Sequence, residues 1–270
     1  MKLMTLRHPF TNPIKRFVPD GGLTSIFRTI GFIGDSLSSG EHESFDEVNG
    51  KGYHDYYEYS WGEFIARKIG CKAHIFAKGG LKCSTFFEYI KVRNNPFEEE
   101  KKCQAYVIAL GVNDMNHLDE AYPDGFGSLD DIDWENEDNN KMSFVGQYVR
   151  IIQKLRKFSP KCRIFVLTTP KERPEAKDIK AKYDKMRRFL LSLPGLFEFL
   201  YVLDLRKYAP IYGKRFGKRY FCGGHMSASG YKFTADMVMT YIDYIIRHKP
   251  EDFTQVGFIN RDVHNSKYKW

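Results

Sequence analysis

A serine, an asparagine and a histidine, each beside glycine and all far apart in the chain, are the residues best suited to chemistry. Ser36 stands in Gly34-Asp35-Ser36-Leu37-Ser38, directly after an apolar run. A serine hydroxyl is nearly inert at its ordinary pKa, so it attacks a carbonyl only when exposed, held still and paired with a base. Asn113, in Gly111-Val112-Asn113-Asp114, also follows an apolar run, and its amide can donate to an oxygen that gains negative charge. Gly80 lies in Gly79-Gly80-Leu81-Lys82-Cys83-Ser84, where a bare glycine lets a backbone N–H turn toward a cleft. His225, in Gly223-Gly224-His225-Met226-Ser227, is the candidate general base. Taken singly, each piece serves equally well as a turn or a helix cap.

The elements that must position these residues alternate along the chain. Five short apolar runs, at 29–33, 73–76, 105–110, 163–167 and 200–203, read as buried strands. Between them, 61–69, 84–92, 144–158 and 176–193 carry apolar residues at three- and four-residue spacing, and a last helix is expected over about 228–247. Ser227 is placed to cap that helix, and Pro250 lies just beyond its end. The alternation predicts an α/β fold with a central five-stranded, mostly parallel sheet. Segments 41–60 and 116–141 lack a sustained period and are expected as long loops leaving the carboxyl ends of the strands, where an open sheet keeps its ligand crevice. The domain division expected is an extension over 1–28, one domain over 29–249 and a second extension over 250–270.

Together, Gly34-Asp35-Ser36-Leu37, Gly80, Gly111-x-Asn113-Asp114 and His225 resemble the four sequence blocks of the SGNH (GDSL-like lipase/esterase) hydrolase superfamily, in order from Ile30 to Tyr231. The resemblance implies a flavodoxin-like three-layer α/β/α sandwich and ester hydrolysis through an acyl-enzyme. It implies Ser36 as nucleophile and His225 as base. The oxyanion hole is then the Ser36 and Gly80 backbone N–H groups with the Asn113 side chain, and Asp35 and Asp114 support them. One departure stands out: the family carries an aspartate three residues before the histidine, and this chain has Cys222 there. A thiol cannot replace a carboxylate beside imidazolium. His225 Nδ1 is then left to a backbone carbonyl, to an acid from elsewhere such as the 119–138 segment, or to a Ser-His dyad without a third member.

Composition bounds the rest. The 270 residues hold 42 Lys and Arg against 34 Asp and Glu, a formal charge of +8. The basic residues are scattered and match no nucleic-acid motif, so no nucleic-acid partner is expected, and oligomeric state stays open. Five cysteines form no C-x-x-C pair, and no signal-peptide core or membrane-length apolar run is present, which points to reduced thiols, no membrane partner and a cytoplasmic protein. No phosphate loop, dinucleotide fingerprint or metal-ligand spacing occurs, so no cofactor and no metal are expected. The expected substrate is a small O-acyl ester, particularly an acetylated carbohydrate, with Tyr53, His54, Tyr56, Tyr57, Tyr59 and Trp61 as a wall on which a sugar ring can stack. Lysophospholipid or acyl-thioester cleavage and a non-catalytic binding module are the alternatives. If Asn113 is an oxyanion donor, Asn113→Ala lowers kcat by about a hundredfold or more; steady-state kinetics with an unchanged kcat would remove it from the site.

Overall fold

In chain order the elements are β1 (Thr29–Gly34), α1 (Ser36–Ser39), β2 (Glu41–Asp46), β3 (Gly50–Asp55), α2 (Trp61–Ile69), β4 (Lys72–Ala77), α3 (Cys83–Val92), β5 (Ala105–Ala109), α4 (Val112–Asn116), α5 (Leu118–Ala121) and α6 (Phe144–Phe158). They continue with β6 (Arg163–Leu167), α7 (Lys177–Ser192), β7 (Leu200–Leu203), α8 (Leu205–Tyr208), α9 (Lys214–Tyr220), β8 (Phe221–Cys222), β9 (His225–Met226) and α10 (Ala228–His248). This computed structural model describes residues 12–260; the outer parts of both expected extensions, 1–11 and 261–270, lie outside the described residues.

Five strands form one parallel sheet in the order β4-β1-β5-β6-β7. Counting only these five in chain order, that is 2-1-3-4-5, the flavodoxin-like arrangement. The strands β1, β5, β6 and β7 are buried on both faces because helices cover both, whereas the edge strand β4 buries only its carboxyl end. Ile33, Tyr106, Ile108, Ile164 and Val166 point into a core shared with α3, α6 and α7. Their neighbours Phe32, Val107, Phe165 and Leu167 point into a second core shared with α2 and α10. The result is a three-layer α/β/α sandwich. The described parts of both terminal segments add to the second core, through Ile14 and Phe27 at one end and Phe253, Val256 and Ile259 at the other.

The strand order reverses between β1 and β5, whose Gly34 and Ala109 are register partners at the carboxyl ends. A ligand crevice is expected at that switch point. The Ser227 side chain caps α10 by accepting from Gly230 N–H, as expected.

Segment 41–60 is not a loop. Residues 41–46 and 50–55 pair as an antiparallel hairpin, β2 with β3, that stands off the main sheet. Half of its twelve residues are exposed and only Glu41 is buried, so no core selected an apolar alternation, and the hairpin left no periodic signal in the sequence. Segment 116–141 is largely irregular, with α5 and single 3-10 turns capped by Ser128 and Asn136.

Within the first core, the Tyr148 hydroxyl on α6 is fully buried and has no hydrogen-bond partner among the described residues. A buried, unpaired hydroxyl costs about 1–3 kcal/mol. Tyr148→Phe keeps the ring packing and is expected to raise stability by about 1 kcal/mol or more, read from urea unfolding midpoints; a lower midpoint would show that the hydroxyl is satisfied.

Candidate active site

Ser36 is the first residue of α1, two residues past the end of β1, and is half-buried. Asp35 caps this turn, accepting Leu37 N–H at 3.0 Å. The residue is 2% exposed, and the second carboxyl oxygen has no hydrogen-bond partner among the described residues. Burial, helped by the nearby Asp114, pushes its pKa up to about 7, against the pull of the Leu37 N–H.

Asn113 lies in α4, directly past β5. Its Nδ2 donates to the Leu81 carbonyl at 3.3 Å, which orients the amide and uses one of its two N–H groups. Asp114 accepts from Cys83 N–H at 2.8 Å and from the Tyr122 hydroxyl, tying the start of α3 to the end of β5. Burial raises the Asp114 pKa. Both supporting acids are therefore braces of the strand-end turns.

His225 lies in a two-stranded hairpin, β8 with β9, whose turn is Gly223-Gly224 and in which Cys222 pairs directly across from it. Its ring is held from both sides. Nδ1 lies 2.7 Å from Glu43 Oε1, and Nε2 lies 2.9 Å from Glu41 Oε1. Both acids come from β2, two residues apart and so on one face of the strand. The expectation of an acid from 119–138 is corrected here: Asp131 is engaged by Lys141, Glu137 by Lys154 and Lys157, and Asp138 by Arg150 and Lys154. The exposed Cys222 is no substitute for an acid.

Bare glycines admit these carboxylates. A Cβ on Gly79 would stand 2.1 Å from Glu41 Oε2, and one on Gly223 would stand 2.0 Å from Glu43 Oε2. Glu43 Oε1 also accepts Gly224 N–H at 2.8 Å, and Glu43 Oε2 pairs with Lys51 at 2.7 Å. Although burial opposes it, the bonds from Lys51, His225 and Gly224 bring the Glu43 pKa down to about 2. Glu41 moves the other way: burial raises its pKa, Asp55 and Glu43 add to the rise, and His225 offsets part of it. Among the described residues, no group of His, Cys, Asp or Glu is arranged to hold a metal.

Ser36, Asn113 and His225 line one cavity of about 450 Å³ at the carboxyl ends of β1 and β5, together with Glu172, Tyr183, Tyr212 and Phe221. Gly80 does not border it. With φ of 74°, a backbone conformation glycine alone adopts easily, Gly80 borders a neighbouring depression beside Lys78, Leu81 and Thr85. Among the described residues no hydrogen bond joins the Ser36 hydroxyl to the imidazole, because Glu41 occupies Nε2. The expected aromatic wall is also displaced. Trp61 is buried against Phe32, and Tyr53, which meets the His225 ring edge-on, is outside the cavity with Tyr56, Tyr57 and Tyr59.

The chain belongs to the GDSL-like Lipase/Acylhydrolase family, whose model matches residues 32–233. Its fold is similar to a family two carbohydrate esterase from Clostridium thermocellum in complex with cellohexaose, at 16% identity and TM-score 0.54, covering 83% of this chain and 65% of that one. It is similar as well to a putative GDSL-like lipase from Parabacteroides merdae ATCC 43184, at 16% identity and TM-score 0.54, over 80% and 95% of the two chains. A third similar structure is the lipase Lip_vut3 from a goat rumen metagenome, at 18% identity and TM-score 0.51, over 79% and 96%. Comparison with the curated proteins finds no match. Among the described residues no helix is long and apolar enough to cross a membrane.

The buried Asp35 carries a pH signature. Its folded pKa of about 7 exceeds the ordinary 3.8, so the folded state binds more protons between these values, and stability falls as pH rises through that window. Asp35→Asn keeps the capping oxygen and cannot ionise. Wild type is therefore expected to lose stability relative to Asp35→Asn between pH 5 and pH 8 in urea titrations; a constant difference would place the Asp35 pKa near its ordinary value.

Proposed function

We propose that this protein is a serine esterase: Ser36 attacks an ester carbonyl as His225 takes its proton, the C–O bond to the alcohol breaks as His225 returns that proton to the leaving alcohol, and water then hydrolyses the acyl-enzyme to release the acid. The observation that carries the reading is the shared cavity of Ser36, Asn113 and His225, with the imidazole fixed by Glu43. With Nδ1–H donating to an ionised Glu43, Nε2 is the atom that can take a proton. Glu43 thus fills the part left open by Cys222. The Asn113 amide and the Ser36 N–H are the donors best placed for the oxyanion, and Gly80 joins them only if substrate draws its loop inward.

Glu41 must release Nε2 before Ser36 can use it. Its side chain has three rotatable bonds, whereas its backbone is pinned by the Tyr231 hydroxyl, which donates to the Glu41 carbonyl at 2.6 Å. Side-chain rotation alone is therefore the motion required. The rival reading, a non-catalytic binding module, draws on this same contact: if Glu41 never leaves, Ser36 has no base.

The preferred substrate is a small O-acyl ester of a polyhydroxylic alcohol. Glu172, Asn116, Tyr183 and Tyr212 line the cavity with hydroxyl-binding groups, and a fold neighbour is a carbohydrate esterase. A cavity with so many polar groups favours this over a lysophospholipid or a long acyl thioester.

With p-nitrophenyl acetate, Ser36→Ala is expected to abolish turnover. Glu43→Gln is expected to lower kcat by about a hundredfold or more with KM little changed, since it removes the carboxylate that holds Nδ1–H. Wild-type protein that is inert toward p-nitrophenyl acetate and acetylated oligosaccharides would favour the binding module. An unchanged kcat in Glu43→Gln would remove Glu43 from the mechanism.

A further inference from the structure

The cavity shared by Ser36, Asn113 and His225 has a charge bias opposite to that of the chain. The chain holds 42 Lys and Arg and a formal charge of +8. Yet among the described residues no Lys or Arg lines this cavity, and the acids that line it are Glu172 and Glu175. A cleft walled by carboxylates with no cation beside them repels an anionic substrate and draws in a cationic one.

The two acids differ in what they already hold. Both oxygens of Glu175 accept from Arg206, at 3.0 Å each, and Arg206 Nε donates to Asp184 at 2.6 Å, so this guanidinium is fully engaged inside the protein. The Glu172 carboxylate forms no hydrogen bond and no ion pair among the described residues. Its position is nevertheless fixed by the backbone. In the segment between β6 and α7, residue 172 bridges to Tyr212: Tyr212 N–H donates to the Lys171 carbonyl at 2.8 Å, and Arg173 N–H donates to the Tyr212 carbonyl at 3.1 Å. Burial chiefly, and after it the Glu172 charge, raises the pKa of Tyr183 and of Tyr212, so the carboxylate stands close to two rings that line the cavity. Glu172 itself is exposed at the cavity rim, where partial burial and the Glu175 charge push its pKa up and Arg206 offsets part of the rise. A fixed, partly desolvated carboxylate without a counter-ion gains more from a cation than an acid surrounded by water does.

We propose that Glu172 binds an ammonium group on the alcohol half of the ester, so that the substrate is an O-acyl ester of an amino alcohol, amino sugars included. The proposal rests on the esterase reading and adds a positive charge to the alcohol named there. Tyr212 and Phe221 line the same cavity, and an aromatic ring attracts a cation over its face. The carboxylate selects for charge, and the rings accept the carbon atoms attached to the nitrogen.

The test compares initial rates of acetate release from acetylcholine and from 3,3-dimethylbutyl acetate, in which carbon replaces the nitrogen and the charge is lost at nearly constant shape. Wild type is expected to show a kcat/KM for acetylcholine at least about tenfold above that for the uncharged ester, and Glu172→Gln to cut the ratio below about threefold. Asp178→Asn removes an exposed acid outside the cavity and is expected to leave the ratio as in wild type. Equal rates on the two esters, a ratio that survives Glu172→Gln, or an equal fall in Asp178→Asn overturns the ammonium subsite and leaves the esterase reading standing. If neither ester nor p-nitrophenyl acetate is hydrolysed, the esterase reading fails and the subsite with it. Should Glu172→Gln not fold, competitive inhibition of wild-type p-nitrophenyl acetate hydrolysis decides. Choline is then expected to inhibit at least about tenfold more tightly than 3,3-dimethylbutanol, and equal inhibition overturns the proposal.

Discussion

The bond between Glu43 and His225 is the contact on which the site depends. It joins two hairpins that belong to neither face of the central sheet, and it spans 182 positions of chain. One carboxylate oxygen serves the imidazole and the Gly224 N–H at once, while the other is held by Lys51. Three donors on one carboxylate explain why it stays ionised far into acid. An ionised acceptor on Nδ1 in turn dictates which ring nitrogen is available for proton transfer.

The remaining parts of the site are placed by a stiffer device. Ser36 and Asn113 follow adjacent parallel strands whose last residues are register partners, so their separation is set by the hydrogen-bond ladder of the sheet. Asp35 and Asp114 brace the two turns from below. His225, by contrast, sits on a two-residue hairpin whose position is fixed by side-chain bonds to another hairpin. One half of the site is thus built on rigid elements, and the other half is a pair of hairpins where a side-chain rotation can change partners.

That division also governs what could be read from the residues alone. Strands buried on both faces show as continuous apolar runs, and Arg163–Leu167 and Leu200–Leu203 were legible to the residue. Helices α2 and α6 were equally plain, because both carry apolar residues at three- and four-residue spacing and end in basic residues. The β2–β3 hairpin faces solvent and has no such pattern. Glu43 was illegible for a further reason: nothing local distinguishes it from Glu41 or Glu47. The only hint was negative, Cys222 where an acid was expected. The acid-rich 119–138 segment was a misleading candidate: its Asp131, Glu137 and Asp138 are occupied by Lys141, Arg150, Lys154 and Lys157, and the imidazole is met by Glu41 and Glu43 instead.

Glu41 and Glu43 are the same residue type on the same face of the same strand, yet their surroundings drive them apart. Glu43 gains Lys51 and a backbone N–H and is held ionised; Glu41 gains burial and acidic neighbours, which favour its neutral form. Paired groups pushed in opposite directions are a common way for one site to separate acid from base roles. Here the imidazole lies between them, with a permanent acceptor on Nδ1 and a carboxyl inclined to carry a proton on Nε2. Burial and acidic neighbours disfavour the charged form of Glu41, so in the esterase proposed above it is Glu41, and not Glu43, that substrate displaces from the ring. The asymmetry between the two glutamates therefore leaves Nδ1 with a charged acceptor and Nε2 with a partner whose charged form its surroundings disfavour.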